Sequence, residues 1–173
     1  MTATIEEILT NQREHWGNVV YELLQGKKTT HWCWYFLPNV PGLGKSPNAQ
    51  HFALDPATFI DYFIGNAEYR GNLITTTMLI DQAYRNSNSV NLQDILGEVD
   101  VLKFRSFLTL AKSTLSAYSF NHSSKDYLPI PYWKILLHAH ECYGTCEYTS
   151  ETCRDVYVDL LRVRGKLKEA INT

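Results

Sequence analysis

Ser46-Pro47 and Asp55-Pro56 each set a short polar side chain directly before a proline. That order suits a helix start. The Ser or Asp oxygen accepts a hydrogen bond from a first-turn N–H, and proline at the first helical position forfeits no intrahelical bond. Thr4 followed by Glu7 is a capping box, in which each side chain can serve a backbone N–H. Asn66 and Asp100 can cap further helices, while Gly26, Gly65 and Gly97 stand where helices stop. The chain is thereby divided into helical lengths joined by short connections.

The apolar residues follow those divisions. Ile5, Ile8, Leu9, Trp16, Val19, Val20, Leu23 and Leu24 recur at helical spacing ahead of Gly26. Phe59, Ile60, Phe63 and Ile64 mark a helix ending at Gly65, and Asn66 opens another running to about Arg85. Asn91 to Leu96 reads as a helical turn, and Asp100 opens a helix through Leu102, Phe104, Leu108 and Leu115. A loop is predicted over Asn121–Pro131 and a helix over Tyr132–His140. Ser150 is positioned to cap a final helix with Val156, Leu160, Leu161, Leu167 and Ile171 inward. The aromatic run from His31 to Pro38 fits either a strand or a short helix capped by Thr29 or Thr30. With no alternating strand pattern elsewhere, the expected fold is all-α: a compact single-domain bundle of roughly seven to nine helices. It would span residues 1–173, with a helical extension over about residues 132–171.

Composition narrows the function classes. The 16 Lys+Arg and 18 Asp+Glu give a net charge of -2, which lacks the basic footprint of a general nucleic-acid binder. No apolar run reaches the roughly 18 residues of a membrane span. Met1 to Glu14 carries no apolar core of a signal peptide. Together with four cysteines better explained as thiols than as a disulfide framework, this predicts a cytoplasmic protein. A homo-oligomer is left open.

Gly42-Leu43-Gly44-Lys45-Ser46 invites a phosphate-loop reading. The G-x-x-x-x-G-K-[ST] pattern would need glycine at the position of Asn39, and Pro41 and Pro47 remove backbone donors where they should accumulate. No β-α series follows, so an NTPase is not expected. A weaker role survives, because a glycine loop entering a helix N-terminus can receive an anion through free N–H groups and the helix dipole.

Three blocks occur in a characteristic order: Glu22-Leu23-Leu24-Gln25-Gly26-Lys27-Lys28, His31-Trp32-Cys33-Trp34-Tyr35-Phe36, and Pro41-Gly42-Leu43-Gly44-Lys45-Ser46. Ile95-Leu96-Gly97, Asp100, Lys103, Arg105-Ser106 and Thr109-Leu110 follow. The chain resembles the bacterial domain-of-unknown-function 1810 family, sometimes labelled calpastatin-like, over roughly Ile5 to Leu115. The resemblance implies an all-α fold and carries no established activity. Cys33 stands where the family usually has methionine and Asn39 where it commonly has glutamine, changes able to reshape a pocket.

Two separated blocks then supply one candidate site: His31, Trp32, Trp34, Gly42, Gly44, Lys45, Ser46, Lys103, Arg105 and Ser106. Aromatic faces can stack a base, cations can hold phosphate or carboxylate, and a helix N-terminus adds neutral donors. These parts suit a small anionic, nucleotide-derived ligand such as ADP-ribose, sensed or sequestered without turnover. An N-glycosidic or phosphoester hydrolase on the same ligand class is the alternative, and an interaction module with exposed aromatics is a third reading. His31 with Asp55, Glu98 or Asp100 could supply acid–base groups, but no spacing fixes a nucleophile–base pair. The catalytic residues stay unknown and no cofactor is implied. His138, His140, Glu141, Cys142, Cys146 and Cys153 tempt a zinc reading. His138 and His140 lie about 200° apart on a helix and the cysteine spacing is irregular, so no metal is expected. Arg162, Arg164, Lys166 and Lys168 alternate with apolar residues as a solvated helix face would.

Overall fold

The computed structural model describes residues 2–88, 91–121 and 130–154, with only the backbone described for 119–121 and 130–133. The elements are α1 (Ile5–Leu24), α2 (Cys33–Phe36), α3 (Pro47–His51), α4 (Pro56–Gly65), α5 (Ala67–Asn86), α6 (Gln93–Leu96), α7 (Glu98–Asn121) and α8 (Ile130–Tyr143). A last helix, α9, begins at residue 147 and is described to residue 154. Among the described residues there is no strand, and the fold is all-α. No helix among them is long and apolar enough to cross a membrane.

The capping chemistry explains most boundaries. Thr4 Oγ1 accepts from the Glu7 N–H at 3.3 Å, and Ser46 Oγ from the Ala49 N–H at 3.2 Å. Asp55 Oδ1 receives the Ala57 and Thr58 N–H groups at 3.0 Å each. Asn66 ends α4 and caps α5, its side chain accepting from the Tyr69 N–H at 2.9 Å. At the end of α1, Gly26 takes φ 75° while Lys27 N–H reaches Glu22 C=O at 3.0 Å and Gly26 N–H reaches Leu23 C=O at 3.1 Å. Those are the two bonds of a Schellman stop.

Three boundaries differ from expectation. α7 opens at Glu98, straight after Gly97 at φ 83°, so Asp100 lies inside its first turn. That leaves the Asp100 carboxylate free for other partners, described below. Ser150 does not cap α9, which has already begun at residue 147; its N–H donates to Cys146 C=O at 3.0 Å. Pro131 belongs to the first turn of α8 rather than to a loop, a position where its missing N–H costs nothing. Val156, Leu160, Leu161, Leu167 and Ile171, and the run Arg162 to Lys168, lie outside the described residues.

α5 packs against α1, α2, α4 and α8, and α7 packs against α4, α6 and α8. The buried centre is strongly aromatic, with Trp32, Phe36, Phe59, Phe63, Tyr69, Phe104 and Phe107 among its largest members. Phe59 meets Phe63 at 5.6 Å and Phe107 at 6.5 Å between ring centroids, which ties α4 to α7. The His31–Pro38 run resolves as the single turn α2, with Trp32, Cys33 and Phe36 buried. Neither Thr29 nor Thr30 caps it: Trp32 occupies the N-cap position, and the Thr30 hydroxyl donates to a carboxylate on α1.

Candidate functional site

Glu22 is the anion that organises the segment leading into α2. It lies near the end of α1 on the same face as Val19 and Leu23, and it is buried. Its carboxylate accepts from the Thr29 N–H at 2.9 Å, the Thr30 N–H at 3.0 Å, the Thr30 hydroxyl at 2.6 Å and Trp32 Nε1 at 2.9 Å. Burial works against its charge, but the hydrogen bonds from Thr30, Thr29 and Trp32 overcome this and hold it down to about 2. The chain between α1 and α2 is thus wrapped around one anion.

Lys28 sits inside that wrapped segment. Its N–H donates to Ile95 C=O at 2.8 Å, and its ammonium meets Asp100 at 2.6 Å. Lys103, one turn along α7, meets the other oxygen of Asp100 at 2.7 Å. The three side chains are 6%, 14% and 22% exposed for Lys28, Asp100 and Lys103, so two ammonium groups share one carboxylate in a partly desolvated place. Burial alone would raise Asp100, yet hydrogen bonds from Lys103 and Lys28 keep it below the usual range. Each ammonium also covers an indole: Lys28 lies 5.3 Å from the Trp32 ring centroid and Lys103 5.1 Å from that of Trp34. Cys33 is buried beside this cluster; burial first, then the Asp100 charge, push its thiol well above its ordinary value. It is therefore not an activated nucleophile.

A cavity of about 160 Å³ opens beside the cluster. Trp34 and Leu37 come from α2 and its end, Asn39, Leu43 and Gly44 from the glycine loop, Ala49 and Phe52 from around α3, and Val99, Leu102 and Lys103 from α7. Lys103 is its one charged wall residue. The Asn39 amide nitrogen is already committed to Leu37 C=O at 2.5 Å and Lys103 C=O at 3.5 Å. Val99 and Leu102 are 65% and 59% exposed and carry the apolar wall outward. Trp34 Nε1 is buried with no hydrogen-bond partner.

The glycine loop is shaped by close contacts with α3 and Tyr148. Gly42 takes φ 87° with the Tyr148 hydroxyl against it, and that hydroxyl donates to Pro41 C=O at 3.1 Å. At Gly44 an added Cβ would lie 2.5 Å from Ala49 Cβ, so only glycine lets the loop close onto α3. Ser46 spends its oxygen on the Ala49 N–H, and α3 has only five residues.

The sequence-derived residues therefore separate. Trp34, Gly44 and Lys103 line the cavity. Gly42, Lys45 and Ser46 belong to the adjoining loop, Lys45 with its side chain exposed. His31 is exposed, its ring 5.9 Å from that of Trp34. Trp32 is fully buried behind, on Glu22. Arg105 and Ser106 leave the group. Arg105 Nε donates to Tyr143 C=O at 2.8 Å and lines a separate hollow of about 360 Å³ with Asp81, Arg85 and Cys142. Ser106 is buried against Thr149 at 2.7 Å. Lys103 and Arg105 are two positions apart on one helix, about 200° around it, so they face different ways.

Other candidates resolve locally. Asp55 is the α4 cap, with Thr58 Oγ1 also donating to it at 2.6 Å. His140 is buried with Nε2 on Thr145 at 3.1 Å, whereas His138 is exposed and 3.6 Å from Cys142 Sγ. Among the described residues no three His, Cys, Asp or Glu side chains gather as a metal site. Glu22 and Lys28 entered the sequence reading only as the ends of a block, and neither they nor Val99 nor the outward face of Leu102 were among its site residues. Glu22 had a signal: a carboxylate at the spacing of Val19 and Leu23 on an apolar helix face calls for buried partners.

The profile of the family described as "Protein of unknown function (DUF1810)" matches residues 2–128, and the chain belongs to that family. Comparison with curated proteins gives no match. Among solved structures, the chain is similar to the conserved hypothetical protein Rv1873 from Mycobacterium tuberculosis, at 23% identity and a TM-score of 0.64. The likeness covers 84% of this chain and 92% of that one, and it supports the fold.

Proposed function

We propose that this member of the DUF1810 family binds a small anionic organic molecule in the cavity between α2, the glycine loop, α3 and α7. The observation that carries this reading is Lys103, the one charged residue in an otherwise largely apolar wall, lying over Trp34 and sharing Asp100 with Lys28. Around Asp100 the two ammonium groups outnumber the carboxylate. The ionised Glu22, bonded to the Trp32 indole that Lys28 covers, offsets the Lys28 side of that excess and leaves Lys103 facing the cavity. The Lys103 ammonium attracts an anion by at most about 4 kcal/mol at 4 Å with an effective dielectric of 20, before the opposing charge of Asp100 and the ligand's own desolvation are subtracted. Trp34 and Phe52 offer aromatic walls for a flat group.

A nucleotide-derived molecule belongs to the same test, though the volume favours a smaller guest. Drug-sized ligands occupy roughly 300–1,000 Å³, against about 160 Å³ here. ADP-ribose would leave most of its atoms outside, and Arg105 and Ser106 are not beside the cavity to hold its phosphates.

The test exposes purified protein to a metabolite extract, followed by native mass spectrometry and identification of what denaturation releases. The expected result is one small anion at 1:1, recovered intact, and lost in Lys103→Ala. Repeated recovery of empty protein, or equal retention by Lys103→Ala, overturns the reading. Release of a cleaved product would convert it into the hydrolase alternative.

A further inference from the structure

The geometry points to a ligand class for that cavity, resting on the reading above: a carboxylate carried on a single ring or a short acyl body of similar size, and not a polyphosphate. Four observations converge on it. The first is charge. Lys103 is the one cation in the wall, while Lys28 is nearly inaccessible beneath it and Asp100 is bonded to both. A single negative charge is matched by Lys103, the one ammonium in the wall. A second phosphate charge would meet Asp100 with no further cation in the cavity wall to answer it, Lys45 lying on the adjoining loop with its side chain exposed.

The second is the wall itself. Leu37, Leu43, Phe52 and Leu102 are apolar, and the Asn39 amide nitrogen already has its acceptors. A purine inserted here would bury several donor and acceptor edges against few polar side chains, Trp34, Asn39 and Lys103 being the ones in the wall, whereas a phenyl ring or alkyl chain has no such edges. The third is size. An apolar cavity of about 150 Å³ holds benzene, and this one is about 160 Å³.

The fourth is the mouth. Val99 and Leu102 are three positions apart and Val99 and Lys103 four, so one face of α7 carries all three. Two of them are large apolar side chains left mostly exposed, at 65% and 59%. A polyphosphate would need donors at that rim. An amphipathic monoanion instead covers the apolar pair while its carboxylate meets Lys103.

Ligand-observed NMR titrations of the full chain test the class, with phenylacetate, its neutral analogue 2-phenylethanol, AMP and ADP-ribose as probes. Lys103→Met and Leu102→Glu are compared with the wild type, and thermal melts establish that both variants are folded. Phenylacetate is expected to bind at least about tenfold more tightly than 2-phenylethanol, the equivalent of about 1.4 kcal/mol. Lys103→Met should remove that preference. Leu102→Glu, at an exposed position that folding does not use, should weaken phenylacetate by about tenfold through like charge at the mouth. Tighter binding of AMP or ADP-ribose than of phenylacetate, sensitive to Lys103→Met, overturns the ligand class and leaves the site standing. Failure of every probe to bind, or binding indifferent to Lys103→Met, overturns both.

Discussion

Replacing Glu22 with glutamine isolates the anion around which the first block of this chain is wrapped. The side chain keeps its shape and loses its charge. In the wild type both carboxylate oxygens only accept: Oε2 from Thr29 N–H and Trp32 Nε1, Oε1 from the Thr30 N–H and hydroxyl. Glutamine must turn one of these positions into a donor. The least costly placement puts its NH₂ at the Oε1 position, where the Thr30 hydroxyl can rotate to accept but the Thr30 N–H loses its shorter bond. The charge contributes on its own account. A carboxyl brought from 4.5 down to about 2 stabilises the fold by about 3 kcal/mol when ionised, reduced to about 2–3 kcal/mol by relaxation and solvent.

The pH dependence follows from the direction of that shift. The folded carboxyl lies below its unfolded value, so its stabilisation is complete above about pH 4.5 and is lost as the pH falls towards about 2. By pH 3 more than half of about 3 kcal/mol has gone. Urea unfolding of wild type and Glu22→Gln at pH 7 and pH 3 reads this directly, because the other carboxylates titrate in both proteins and cancel in the difference. The expected gap is about 2–3 kcal/mol at pH 7, narrowing by more than half at pH 3. A gap under about 1 kcal/mol at pH 7, or one that does not narrow on acidification, would refute the assignment of Glu22 as the organising anion.

The two tryptophans of α2 and its cap should behave oppositely although they are two residues apart. Trp32→Phe loses the Nε1 bond to Glu22 and should cost more than about 2 kcal/mol, whereas Trp34→Phe removes a buried donor that has no partner and should stay within about 1 kcal/mol of wild type. Equal losses in urea unfolding would contradict the hydrogen-bond assignments. Gly42→Ala combines a positive φ with the Tyr148 hydroxyl in the way of the new methyl, so it should lose more than about 2 kcal/mol in the same assay. Adding Tyr148→Phe should recover part of that loss; no recovery would mean that backbone strain alone sets the cost.

Local chemistry was legible wherever one residue and its neighbours decide the outcome. Ser46-Pro47, Asp55-Pro56 and Asn66 cap the helices that their side chains can reach, and Gly26 and Gly97 stop α1 and α6 at positive φ. α2 was not legible. Its single turn is stabilised by Trp32 and Phe36 entering the core and by a carboxylate ten residues upstream, and neither is a property of the run itself. The candidate site was half legible for a related reason. Trp34 and the glycine loop are neighbours in sequence and stay neighbours in space, but Lys103 and Arg105 are sorted by the rotational phase of α7, and Ser106, one turn beyond Lys103 on the same side, is withdrawn by its burial against Thr149. That phase follows from Gly97 ending the preceding turn and Glu98 beginning the helix.

Once the phase is known, Leu102 becomes the informative residue. Phe104, Phe107, Leu108, Ala111 and Leu115 are all buried, the i, i+3, i+4, i+7, i+11 series of one inward face. Leu102 is apolar like them and lies about 200° from Phe104 around the helix; farther along, that side is also buried, by Ser106, Thr109 and Leu110, so the 59% exposure of Leu102 belongs to the first turns of α7. A leucine that the core does not use, one position before a lysine that an aspartate shares with another lysine, is poorly explained by folding alone. Val99 repeats the departure one turn earlier on the same face. The apolar pattern of α7 therefore contains two patterns superposed, one that packs the bundle and a shorter one that lines the cavity beside Lys103. Taken together as one stripe they hide the site. Separated by exposure, the apolar residues left over from the core in the first turns of α7 identify the place where a ligand would be held.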